Sequence, residues 1–217
     1  MRQPYWDAGR RLARLLAAAA TFAALAPNHA RGQEAIPSGK VSFGTLSFDG
    51  HATVGDFTGT TTVVSGEMSG GPSLESVRGW VETPVNTLTT GKTKRDADLN
   101  KSMESDKYPV IRYELDSVTP ESVMGDSAVV ILHGRFVIHG VTRQADLQAR
   151  VILSPDGVQV WADAPLNLKD YHIGRLSKML GILKMHEKIQ VHLHVAFAAD
   201  PAAPTATEGN SPGPEAR

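Results

Sequence analysis

His192 and His194 are two residues apart in KIQVHLHVAFA (188–198), so on an extended strand both imidazoles leave the same face. Two imidazoles at that spacing can ligate Zn or Cu, and His186 or Glu187 is the candidate third donor. A second pair, His133 and His139, lies in HGRFVIHGVTR (133–143). A histidine here does acid–base work only if a nucleophile and an orienting carboxylate meet it. The chain has no Gly-x-Ser-x-Gly elbow and no Cys, which also removes disulfides and thiolate metal sites. Both pairs have a plainer reading. Ile189, Val191, Leu193, Val195 and Phe197 form the apolar face of the last strand, so His192 and His194 belong to its solvated face. His139 precedes Gly140 and reads as a hydrogen-bonding turn residue. The sequence therefore predicts no catalytic residue, no metal and no cofactor.

The elements that would position these residues are strands. Apolar and polar residues alternate in VSFGTLSF (41–48), FTGTTTVVSGEM (57–68), SVRGWVETPVNTL (76–88), VIRYELDSV (110–118), AVVILHGRFVIHG (128–140), DLQARVIL (146–153) and VQVWADAPLNL (158–168). With the last strand, about eight short strands separated by Gly, Pro, Asp and Asn predict an all-β antiparallel sandwich or closed barrel. One segment departs from period two. TKRDADLNKSMESDKYP (93–109) is charged, with Leu99 and Met103 four apart, and predicts one short amphipathic helix ended before Tyr108-Pro109. Its Asn100-Lys101-Ser102 sequon is taken as a chance match. Around HGRFVIHGVTR, Val130, Leu132, Phe136 and Ile138 share one face, Gly140 allows a tight turn, and Ala145, Leu147, Ala149 and Val151 resume the pattern. The stretch is predicted to be a hairpin corner.

Composition sets the setting. The 217 residues carry a formal net charge of −1, which gives no basic field for nucleic acid. Residues 1–32 read as a secretory signal peptide: Arg2, Arg10, Arg11 and Arg14 precede the apolar run Leu15 to Ala26, and Ala30-Arg31-Gly32 offers a cleavage signal. The Arg10-Arg11 pair leaves export by the general or the twin-arginine route open. Removing this segment takes away five Arg and one Asp and leaves a net charge of −5. Residues 33–39 read as a linker, 40–199 as the folded domain, and the Pro- and Ala-rich 200–217 as a disordered tail. The expected location is periplasmic.

Several motifs then come together in order. They are FDGH (48–51), GDFTG (55–59), LTTGKTKRDADLNKSMESDKYPVIRYEL (88–115), HGRFVIHGVTR (133–143) and KMLGILKMHEKIQVHL (178–193). Together they resemble the YceI-like family of exported lipocalin-like proteins, over about residues 40–198. The resemblance implies an extended antiparallel barrel around a cavity that holds a long polyisoprenoid or similar amphiphilic lipid, carried and not converted. In that frame, Phe43, Ile111, Tyr113, Leu115, Leu132, Phe136 and Leu193 are expected to line the lumen and bind the lipid. Inward Gly79, Gly134 and Ala149 are expected to leave room for it. Trp80 and Trp161 belong either to the lumen or to a dimer contact, because period two does not say which face is inside. KMLGILKM (178–185) reads as an apolar flap at the barrel mouth or a cap on one end. It departs from the shorter loops of many relatives, so the mouth and the lipid's head group stay open. A homodimer and a transient membrane contact are open as partnerships. The competing readings are an envelope interaction module with a packed core, docking through its Trp-bearing face, and a His-based metal-binding protein.

Overall fold

The alternating stretches become one antiparallel sheet. The computed structural model describes residues 35–52, 55–173 and 185–201. Its strands are β1 (Gly39–Ala52), β2 (Gly55–Thr61), β3 (Ser65–Ser69), β4 (Arg78–Pro84), β5 (Val110–Met124), β6 (Ser127–Ile138), β7 (Val141–Ser154), β8 (Gly157–Asn167) and β9 (Lys188–Ala199). From β3 to β9 each strand pairs with the next in the chain, and β9 then pairs with β1 over Gly39–Asp49. The other edge of β1 is shared: Gly39 and Lys40 pair with β3, Leu46–Ala52 with β2. β2 and β3 thus occupy one place in the ring, and the barrel closes with eight strands around it. Among the described residues, the outer edge of β2 makes one isolated bridge, Thr60 to Thr89.

Local chemistry explains where the pattern breaks. FTGTTTVVSGEM, expected as one strand, divides into β2 and β3 at 62–64, where Val63 is exposed. SVRGWVETPVNTL stays extended only to Pro84; a 3₁₀ turn, Val85–Thr87, follows, because proline supplies no N–H to continue the ladder. β6 and β7 meet through His139 and Gly140, with φ of 52° and 73°, between the paired residues Ile138 and Val141. Two consecutive positive φ values define the type I′ hairpin turn, whose handedness matches strand twist. This is the predicted corner, and its strands face as expected: Ala128, Val130, Phe136 and Ile138 are buried on β6, and Leu147, Ala149 and Val151 on β7.

The predicted helix is α1 (Thr93–Ser102), inserted between β4 and β5. Asp96 anchors its first turn, accepting hydrogen bonds from Thr90 N, Thr90 Oγ1 and Thr89 Oγ1. Burial alone would raise the Asp96 carboxyl, but these bonds outweigh it and hold it below the ordinary carboxylate range. Leu99 and Met103 face the barrel, as their spacing predicts.

The core has two parts along the barrel. Val77, Val118, Val130, Val151, Val158 and Val195 belong to one, and Val85, Met103, Phe136, Ile138, Tyr171 and Ile173 to the other. Ile36 falls in the stretch read as a linker, yet it exchanges two backbone hydrogen bonds with Gly71 and is buried in the first part. The folded unit therefore begins ahead of β1. The expected leader, the expected tail beyond Pro201, and the expected flap except Met185 lie outside the described residues.

Candidate ligand-binding cavity

Two cavities lie inside the barrel, of about 110 and 150 Å³. Each is far above the roughly 10–15 Å³ that one water needs. Leu46, Ile111, Phe136 and Val191 line both, so the two adjoin along the inside of the barrel. The first runs toward Met68, Val118, Val158 and Phe197; the second toward Phe57, Leu99, Met103 and Ile173.

Six of the seven residues expected on the wall line the first cavity: Ile111, Tyr113, Leu115, Leu132, Phe136 and Leu193. Phe43 is a correction. It is 49% exposed, and its ring meets His194 edge-on at 5.2 Å on the outer face. The cause is a bulge between Val41 and Phe43, where the register with β9 slips by one residue. Beyond the slip, Leu46 and Phe48 point inward and Phe43 points out, because an added residue reverses alternation. A second bulge, between Leu115 and Ser117, does the same in β5 and turns Val118 inward.

The expected space beside Gly134 is also corrected. A Cβ there would lie 2.7 Å from Tyr113 Oη, so the glycine admits the tyrosine ring rather than open lumen. Tyr113 Oη points its proton at the carbonyls of Leu132 and Ala145, at 3.0 and 3.1 Å, and the ring tilts against Phe136 at 4.9 Å. Burial holds the phenol protonated well above the ordinary tyrosine range. Gly79 likewise gives no room, since a Cβ would meet the Glu67 carbonyl at 2.6 Å. Residues the sequence reading did not single out complete the wall: Leu46 and Phe48 from β1, Val191 from β9, and Arg95 and Asp98 from α1. For Arg95 and Asp98 the available signal was helical spacing: Arg95 stands three residues before Asp98 and four before Leu99.

Trp80, which is among the residues bordering the first cavity, and Trp161 each carry an arginine. Trp80 lies under the Arg112 guanidinium at 4.1 Å, and Trp161 under Arg150 at 4.3 Å. Trp161 also stacks on His194, with centroids 4.4 Å apart. His192 is held differently. Its Nδ1 lies 2.6 Å from Asp163 Oδ1 and its Nε2 3.2 Å from Asp49 Oδ2. The bond to Asp163, then that to Asp49, raises its pKa against the opposing effect of burial. Glu187 pairs with Lys169 at 2.6 Å, and the His186 amide donates to the His51 carbonyl. The H-x-H pair is thus split between carboxylates and aromatic rings. Among the described residues, no group of three His, Asp or Glu is arranged to hold a metal ion.

The nucleophile and carboxylate sought at His139 occur at His133. Thr119 Oγ1 is 2.9 Å from its Nε2, and Asp146 Oδ1 is 2.9 Å from its Nδ1. Acyl transfer also needs donors aimed at a developing oxyanion. Here the three residues lie exposed on the outer face of β5, β6 and β7. His139 instead ties the corner down: Nδ1 donates to the Tyr171 carbonyl at 3.0 Å, and the ring packs edge-on to Tyr108.

A closed antiparallel barrel of eight strands, with one inserted helix and two adjoining apolar cavities inside, is a lipocalin-like container. More narrowly, the chain belongs to the YceI-like domain family, which matches residues 38–197. Its fold is similar to that of a polyisoprenoid binding domain from Saccharophagus degradans, with TM-score 0.63 and 18% identity over 76% of this chain and 99% of that one. It is also similar to BcnA from Burkholderia cenocepacia, with TM-score 0.59 and 13% identity over 70% and 95% of the two chains. For the Campylobacter jejuni YCEI protein the values are 0.52 and 14%, over 66% and 85%. A comparison with curated protein sequences gives no match.

Proposed function

We propose that this protein binds and carries a long-chain polyisoprenoid or similar amphiphilic lipid in the periplasm, without converting it. One observation carries the reading: the two cavities adjoin at Leu46, Ile111, Phe136 and Val191, so a chain can run the length of the barrel. The mechanism is passive. The lumen replaces water around the chain at about 0.8 kcal/mol per buried CH₂, offset by the ordering of the lipid. Family membership and the Saccharophagus degradans domain, described as polyisoprenoid binding, support the ligand class. The basic and apolar leader read in residues 1–32 supports export.

Native mass spectrometry of the mature protein purified from the periplasm, followed by solvent extraction, tests the reading. A stoichiometric prenyl or acyl species is the expected result. A protein that carries no lipid and also refuses added isoprenoid would overturn it. The observation favouring an envelope interaction module is the outer patch of Phe43, His194 and Trp161. Copurification of a protein partner with a lipid-free barrel would support that second reading.

A further inference from the structure

α1 is the one α-helix among the described residues, and only side chains hold it to the barrel. Every backbone hydrogen bond of residues 90–108 described here stays inside that segment. The segment is pinned just beyond its ends. Thr89 exchanges two backbone hydrogen bonds with Thr60 of β2, and the Val85 amide donates to the Pro109 carbonyl. Between the pins, Arg95, Leu99 and Met103 form part of the wall of the second cavity. Gly91 and Glu104 bracket the helix, with φ of 70° and 47°. The docking leaves polar groups stranded. Asp98 Oδ2, Asn100 Oδ1 and Ser102 Oγ are buried without a hydrogen-bond partner among the described residues. So is Nε2 of His139, with Glu104 Oε1 3.8 Å away. Four of the five such atoms therefore lie where α1 and the turn after it meet the barrel. Lifting the helix returns them to water, so closure works against their desolvation.

We propose that α1 is a lid, pinned at Thr89 and Pro109, that lifts from the second cavity to pass lipid in and out. The proposal rests on the lumen being a lipid site. Leu99 and Met103 hold the lid shut through apolar contact. Asp96, bonded to Thr89 and Thr90, keeps the first turn against the pinned end, and Gly91 supplies the pivot. The stranded polar groups keep the open state within reach. The strands from β4 to β9 are poor gates, because each lies between two neighbours and would have to break a row of backbone hydrogen bonds. α1 breaks none to a strand. A lid that closes over the empty and the loaded protein alike governs rates and not affinity. Shifting its equilibrium changes association and dissociation by one factor and leaves Kd in place.

The test uses the delipidated mature protein with geranylgeraniol as the probe. Uptake and release are timed by rapid mixing and native mass spectrometry, and opening is read by amide hydrogen exchange. In the wild type the α1 amides should exchange faster than those of β6 and β7. Ser102→Ala removes a buried unpaired hydroxyl from a residue that does not line the cavity. It should slow uptake and release together, about fivefold, and leave Kd within about twofold of the wild type. Gly91→Ala adds a Cβ that meets nothing within 4 Å, so it acts only through the positive φ of the closed lid. It should hasten both steps about fivefold. Exchange at α1 should shift with the rates in each variant, while β6 and β7 exchange stays put and shows that both are folded. Rates that do not follow α1 exchange would mean that lipid enters elsewhere. Wild-type α1 exchange as slow as that of the strands, or exchange that neither variant shifts, would mean that the helix does not lift. Either result overturns the lid and leaves the lumen reading standing. A wild type that binds no geranylgeraniol would overturn the lumen reading with it.

Discussion

Phe136 stands where the two cavities meet, with Tyr113 tilted against it at 4.9 Å. A carboxylate at that position would stand in an apolar wall, and burying it there costs several kcal/mol. Phe136→Asp should therefore abolish lipid retention or folding, as read by circular dichroism and solvent extraction. A folded, fully lipid-loaded variant would remove Phe136 from the lumen. His192 makes a different kind of prediction. Both ring nitrogens face carboxylates, and both can donate only when the imidazole is protonated. Its pKa is raised on folding, so the folded chain holds the proton to higher pH than the unfolded chain does. The stabilisation is full below the ordinary histidine value of 6.5 and is lost as pH rises through the folded value. The wild type should exceed His192→Gln in melting temperature more at about pH 5.5 than at about pH 8.5. An equal difference at both would show that the two carboxylates do not hold the proton.

At the scale of elements, the β6–β7 corner depends on Gly140. Its φ is 73°, and an added Cβ would meet the Tyr108 ring at 2.5 Å. Gly140→Val should lower stability by about 1–3 kcal/mol, measured by urea denaturation. An unchanged midpoint would mean that the corner relaxes without strain. This hairpin was legible in the sequence because a Gly at the break and clean alternation on both sides agree. The helix was legible because Leu99 and Met103 are four apart in a charged segment. Phe43 was not legible. Its strand alternates in sequence, but pairing with β9 inserts a bulge, and a bulge is a relation between two strands that neither sequence displays alone. Gly134 failed for a related reason. A small inward residue implies space only if no neighbour fills it, and Tyr113 comes from another strand. Asp98 and Arg95 look like ordinary surface charges on a charged helix until the docking of α1 turns them to the cavity.

The whole molecule is a container only if the lumen is continuous, and continuity can be blocked without disturbing the barrel's outside. Ala162 of β8 is buried and lines the first cavity opposite Leu193, its pairing partner on β9. Ala162→Phe would fill part of that space with a ring. In a close-packed core such a change forces neighbours aside and costs about 1–3 kcal/mol. In a lumen with about 110 Å³ available, the ring finds room and gains contacts, so the ligand-free variant should melt near the wild type or above it. Lipid binding should fall about tenfold or more, because the ring displaces methylenes worth about 0.8 kcal/mol each. The ligand-linked rise in stability should shrink with it, since that rise is about 2.7 kcal/mol when lipid stands at a hundred times its Kd. Melting curves with and without added isoprenoid measure both effects on one sample. A variant that is destabilised and still loads lipid would mean that the chain bypasses β8 altogether. A variant that is stable and loads none places the tail in the first cavity, at the end of the barrel away from α1.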